Sequence, residues 1–387
     1  MITEIKTAII LTVIIAIGIG GISIVFSSLE QSNETQTGML DLFFSSINQS
    51  TEFETQTDEK GNVVSLIDKS RYKHAPELVG IADYVNTTPE ELNDMIKDKV
   101  VLYDIWTYSC INCIRTLPYV TAWNEKYADD GLLVIGIHSP EFEFEKNLNN
   151  VQAAVEKYGI TYPVVLDNDH QTWKAFDNRY WPRKYITDSE GYIRYDHIGE
   201  GAYDQTEKVI QQLLEERANL LGLNVASAEL LMDLEEFQHT SFRTPELYFG
   251  YKFAAGRNQL GNSEGFHPND VVSYTIPEQL TRDYFYLEGQ WENLEDGMKL
   301  VSGKGWIHLL YFAKSVNIVA AETSNLKILI DGKPISTELA GTDVDNSLVH
   351  VSEPRLYNLI SSKNPENHLL SIEANTPGFE IFTFTFG

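Results

Sequence analysis

The sequence predicts an α/β domain built on a mixed sheet, followed by an all-β sandwich and preceded by one apolar helix. Three observations carry this. No charged residue occurs between Lys6 and Glu30. From about residue 76 to 222, strand-like and helix-like apolar runs alternate. From about 235 to the end, short β-rich runs separated by turn signals replace them.

The uncharged interval holds 23 residues rich in Ile and Val. As a helix it would be about 34 Å long, against roughly 30 Å for a bilayer core. Residues 7–28 are therefore expected to form a transmembrane anchor. Lys6 precedes the run, and Glu30 and Glu34 follow it. That asymmetry puts the short N-terminus in the cytoplasm and the rest outside, which makes a single-pass cell-membrane protein with extracytoplasmic domains. A cleaved signal peptide is the competing reading. The run exceeds a usual h-region, and no A-x-A site closes it. Residues 29–75, rich in Ser, Thr, Asn, Gln and Glu, read as a polar tether.

In the next region, Val100–Ile105 reads as a buried strand and Cys110–Tyr127 as a helix. Leu132–His138 is an apolar strand, Phe144–Tyr158 a helix, Pro163–Asp167 a strand and Gln171–Phe176 a short helix. Lys184–Thr187 and Tyr192–His197 flank the turn sequence Asp188-Ser-Glu-Gly191 and read as a hairpin; Asp204–Leu221 is a closing helix. Alternation followed by a hairpin and a helix gives three layers, with helices on both faces of a mixed sheet. The expected domain spans residues 76–222.

A second domain is expected over 235–387. Leu326–Ile330 alternates and is followed by Asp331-Gly332, a hairpin turn that needs positive φ. Glu380–Phe386 sets Ile381, Thr383 and Thr385 against Phe382, Phe384 and Phe386. No long helical period follows Leu234, so a β-sandwich is the economical reading.

Composition narrows the function. With 29 basic and 56 acidic side chains the formal charge is −27. Nucleic acid is excluded as a partner, because phosphate binding needs a basic face. Both cysteines of the chain fall in one tetrapeptide, Cys110-Ile-Asn-Cys113, where a buried strand hands over to a helix. Unpaired N–H groups and the macrodipole at a helix N-terminus stabilise a thiolate. Cys110 is the expected nucleophile and Cys113, one turn on, the resolving partner. A zinc half-site would need two further ligands, and no other Cys exists. An inert bridge closing so small a ring would stabilise little. No cofactor beyond the cysteine pair, and no metal, is expected.

The segment Val101-Leu-Tyr-Asp-Ile-Trp-Thr-Tyr-Ser-Cys110-Ile-Asn-Cys-Ile-Arg-Thr-Leu-Pro-Tyr119 resembles the active-site segment of the thioredoxin superfamily. It is most similar to the TlpA/ResA branch and to the C-terminal half of DipZ-type proteins. His138-Ser-Pro-Glu-Phe142, Tyr180-Trp-Pro-Arg-Lys-Tyr-Ile186, Thr244-Pro-Glu-x-Tyr248 and Phe384-Thr-Phe-Gly387 extend the resemblance over both soluble domains. It implies a thioredoxin fold followed by a jelly-roll-like sandwich similar to a carbohydrate-binding module. It implies further that Pro182 is the cis-proline facing the sulfurs and that Trp181 offers backbone groups to a peptide substrate. Asp104, on the buried strand, stands where thioredoxins keep a buried acid; burial would raise its pKa and let it take the proton of Cys113. Trp106 is expected over the disulfide, and Glu141 and Arg183 beside the substrate groove.

Thr116 stands where ResA-like proteins often carry a glutamate, and Ile111-Asn112 replaces thioredoxin's Gly-Pro. The dipeptide tunes the redox potential, so the resemblance leaves the potential open. DipZ-type proteins carry their own multi-spanning electron relay. A chain with one span would need a separate membrane electron donor to reduce exported protein disulfides, apocytochrome among them. The enzyme alternative is a peroxiredoxin-like peroxidase, but Tyr103 replaces the proline that fold places seven residues before its attacking cysteine. The non-enzyme alternative is an envelope- or carbohydrate-binding protein with a structural disulfide. Its sugar-stacking candidates are Trp291, Trp306 and Tyr284, with Tyr248 and Tyr311 behind them.

Overall fold

The computed structural model describes residues 53–57, 63–223, 243–254 and 256–387. The anchor expected over 7–28 lies outside the described residues. Among those described, no helix is long and apolar enough to cross a membrane. Within the stretch read as a tether, Phe53–Thr57 (β1) pairs antiparallel with Val63–Ile67 (β2), in a unit separate from the rest. Tyr72–Gly387 forms one compact unit.

That unit opens with Asp83–Val85 (β3) and the short helix Pro89–Met95 (α1), started by a Thr88/Glu91 capping box. Val100–Trp106 (β4) and Leu132–His138 (β5) follow, joined by Ile111–Tyr127 (α2). Leu148–Lys157 (α3) leads to Val164–Leu166 (β6), and Gln171–Ala175 (α4) to the hairpin Arg183–Thr187 (β7) and Ile193–Ile198 (β8). Tyr203–Leu221 (α5) closes the array. The six strands lie in the order β3-β6-β5-β4-β7-β8. β4, β5 and β6 run parallel, and β3, β7 and β8 run against their neighbours. All seven residues of β4 and of β5 are buried, as expected for central strands covered on both faces. This is a thioredoxin-fold mixed sheet with helices, and the expected elements recur within a residue or two.

One element differs. Phe144–Tyr158 is not one helix: Glu143–Lys146 is a 3₁₀ turn, Asn147 is extended (φ −74°, ψ 118°), and α3 begins after it. The Asn147 side chain accepts the Asn149 N–H at 2.9 Å. An asparagine bonded to the backbone in this way caps a new helix rather than continuing an old one.

A β-rich domain follows. Its first elements are Leu247–Tyr248 (β9), Tyr251–Ala254 (α6), Val271–Tyr274 (β10), Phe285–Asn293 (β11) and Met298–Leu300 (β12). Gly305–Ala321 (β13), Ser324–Ile330 (β14), Lys333–Pro334 (β15) and Leu348–Val351 (β16) come next, then Arg355–Ala374 (β17) and Glu380–Phe386 (β18). β11 pairs with β12, β12 with β18, β18 with β13 and β13 with β11, so the pairings close a circuit. Asp331 and Gly332 have φ of 52° and 76°, the all-positive turn that their sequence predicts.

In β18 the simple alternation fails at Phe382. Val319 pairs with Thr383 but Ala320 with Ile381, so Phe382 is a bulge. A bulge reverses the parity of the residues beyond it. Ile381, Phe384 and Phe386 join the β-domain core, whereas Phe382 turns to Phe142 and Phe144 of the first domain, at ring distances of 5.3 and 4.8 Å.

Candidate active site

The topology brings the expected site together. β4 and β5 are parallel neighbours ending at Trp106 and His138, which pair with each other. β7 runs against β4, with Arg183 opposite Ile105. The segments after β4 and β5 and the one before β7 therefore meet at one end of the central strands, and they carry Cys110, Ser139–Glu141 and Pro182.

Cys110 is the N-cap of α2 and is partly exposed; Cys113 is buried. Both thiols are unbridged, and the Cys110 sulfur accepts the Cys113 N–H at 3.3 Å. A helix N-terminus thus points a backbone donor at the accessible sulfur. Burial, contact with Cys110 and the nearby charge of Asp104 hold the Cys113 thiol well above the ordinary range.

Asp104 is 1% exposed. Burial pushes its carboxyl up to about 6, against the opposing pull of Lys184. Lys184 lies directly across the ladder from Asp104 and is itself 0% exposed. Burial draws its ammonium down while Asp104 and Cys113 resist. The Trp181–Pro182 bond is cis, as the resemblance implied. Trp181 is half-buried, and its indole N–H donates to the Ser139 carbonyl at 2.9 Å.

Other candidates stand differently. Trp106 is 0% exposed and shares a core cluster with Cys113. It backs the site from inside and does not cover the sulfurs from the substrate side, which corrects the expected placement. Arg183 is committed to Asp196, with Nη2···Oδ2 at 2.6 Å, and lies over the Tyr185 ring. Glu141 meets the second domain: its Oε1 accepts the Tyr248 hydroxyl at 2.8 Å. Burial and the neighbouring carboxylates of Glu246 and Glu145 push Glu141 up to about 8, while Tyr248 and Arg257 pull it down. Trp291, Tyr248 and Tyr311 are buried; a ring packed on both faces has none to offer a sugar, so these three leave the stacking set. Trp306 and Tyr284 are half-exposed, and Trp306 stacks on His308.

Sequence reading missed Lys184, Arg115, Glu200 and Glu145. Arg115 and Glu200 form an ion pair at 3.5 Å, with side chains 14% and 6% exposed, and both bear on the charge of the site. Lys184 stands two residues past Pro182 but directly after another charge, Arg183, so the sequence did not single it out. Nothing in the sequence marked Glu145 against the acidic residues around it.

The comparisons agree with this geometry. A model described as redoxin matches residues 73–214, and one described as thioredoxin like C-terminal domain matches residues 244–387. Protein DipZ of Mycobacterium bovis is 34% identical over 315 residues, which is 81% of this chain and 43% of DipZ. The chain thus spans under half the length of that relative. Thiol-disulfide oxidoreductase YkuV of Bacillus subtilis is 32% identical over 143 residues, 36% of this chain and 94% of YkuV. The chain belongs to the redoxin family. Thiol-disulfide oxidoreductase ResA of Bacillus thuringiensis is 25% identical over 123 residues, 32% of this chain and 68% of ResA, so this redoxin is similar to thiol–disulfide oxidoreductases over its first domain. Among solved structures, a thioredoxin-like protein in the oxidized form is 31% identical to it, with a TM-score of 0.34 covering 38% of this chain and 97% of that one.

Proposed function

We propose that this redoxin is a membrane-tethered, extracytoplasmic reductase of disulfides in exported proteins. The observation that carries the reading is the Cys110 sulfur on the N-terminus of α2, bonded to the Cys113 N–H at 3.3 Å above a buried Asp104. In the proposed cycle the Cys110 thiolate attacks a client disulfide. One client sulfur leaves as thiolate, and a mixed disulfide forms. Asp104 takes the proton of Cys113, whose sulfur attacks Cys110 and expels the second client thiolate. The enzyme disulfide then receives two electrons from a separate membrane protein. Pro182 and the Trp181 backbone shape the client groove. The uncharged run at 7–28 supports the tether.

We read the β-rich domain as a jelly-roll-like sandwich of carbohydrate-binding-module type. The antiparallel ladders throughout it support this, and Trp306 and Tyr284 are the rings left for a glycan.

Trapping tests the catalytic reading. Cys113→Ser should accumulate mixed disulfides with envelope proteins that dithiothreitol releases, and Cys110→Ser should accumulate none. Equal trapping by both variants would refute the assigned order of the cysteines.

A further inference from the structure

We propose that the β-rich domain sets the reactivity of Cys110 from outside the redox fold, through a hydrogen-bonded chain from Tyr248 to Glu141, on to Glu145, and from Glu145 to Ser109 beside the cysteine. Tyr248, Glu141, Glu145 and Ser109 are then positioning residues for the thiol chemistry. The proposal rests on Cys110 being the attacking cysteine.

Each link is a hydrogen bond in the structure. Glu145 is 0% exposed, and four donors meet its carboxylate. Its Oε1 accepts the Ser109 hydroxyl at 2.6 Å and the Ser109 N–H at 3.3 Å. Its Oε2 accepts the N–H groups of Glu141 at 2.6 Å and Phe142 at 3.0 Å. A buried carboxylate with its oxygens so engaged holds two segments in fixed relation, because losing any donor leaves charge unsolvated. One segment is the turn that delivers Cys110 to the helix N-terminus. The other is the loop after β5, and the second domain grips it.

The grip has two parts. Phe142 packs against Phe382 and Phe253, at ring distances of 5.3 and 5.9 Å. The Tyr248 hydroxyl donates to Glu141 at 2.8 Å, and Tyr248 is itself pinned by its N–H to Gln259 Oε1 at 2.9 Å. Glu246 and Arg257 complete the charged surroundings of that hydroxyl. A shift of β9 would move Glu141, then Glu145, then Ser109. The Cys113 N–H to Cys110 sulfur contact, at 3.3 Å, would answer.

The test is the pH profile of Cys110 alkylation by iodoacetamide in the reduced full chain, followed by mass. Ser109→Ala and Tyr248→Phe should each slow alkylation at pH 7 by about three- to ten-fold, through an upward shift of the profile midpoint. The double variant should be no slower than the slower single one, as members of one chain are not additive. Glu141→Ala removes the acceptor of the same Tyr248 bond and should move the midpoint as Tyr248→Phe does, which covers a Tyr248 variant that folds badly. Unmoved midpoints, or effects that multiply, would overturn the proposal even if melting temperatures fall. A wild-type chain with no fast-reacting thiol would instead overturn the cysteine assignment, and the proposal with it.

Discussion

At the scale of single residues, the chemistry turns on burial. Asp104 and Lys184 face each other in a dry sheet, and burial moves the carboxyl up to about 6 and the ammonium down. Because the folded pKa of Asp104 lies above its unfolded value, its contribution to stability is complete below pH 4 and lost as pH rises through 6. Asp104→Asn, which mimics the protonated acid, should therefore be more stable than wild type at pH 7 and no more stable below pH 4. In denaturant titrations an equal difference at both pH values would contradict that assignment. The same variant should lengthen the life of the mixed disulfide by about 100-fold or more while sparing the first attack. His138, 0% exposed, is drawn down to about 3 by burial and is neutral at pH 7.

At the scale of elements, both what was legible in the sequence and what was not have physical causes. β4 and β5 were legible because central strands of a parallel core are continuously apolar. The Asp331-Gly332 turn was legible because few residue pairs tolerate two positive φ values. The break at Asn147 was not, because a single capping asparagine is invisible against a helical apolar period. Asn147→Ala should cost about 1 kcal/mol of stability, measured by chemical denaturation, through loss of the cap to Asn149. No loss would mean that α3 is held by packing alone. The bulge at Phe382 was equally hidden, since a change of parity leaves no mark in composition. Cys110, Cys113, Asp104 and Pro182 could be placed from local sequence. Lys184 and Glu145 could not, because their partners lie 80 and 36 residues away across the fold.

At the scale of the molecule, the loop after β5 joins the redox site to the β-rich domain. Glu141, at the junction, faces Glu246, Glu145, Tyr248 and Arg257, with its carboxyl pushed up to about 8. The folded state holds this proton more tightly than the unfolded one, so the junction should loosen as pH rises through 8. Hydrogen exchange in residues 140–146 should accelerate between pH 7 and 9, after correction for intrinsic rates, and Glu141→Gln should abolish that acceleration. Uniform protection across the range would show that the aromatic contacts of Phe142 carry the junction alone. The central claim remains that Cys110 and Cys113 are a working reductant, and the reduction potential of the pair in the full chain tests it most directly. Equilibration against glutathione or dithiothreitol buffers, read by thiol labelling, should give a value near thioredoxin's, about −270 mV. A value near about −120 mV would make the protein an oxidant, and a disulfide that resists reduction until the chain unfolds would make it no catalyst at all.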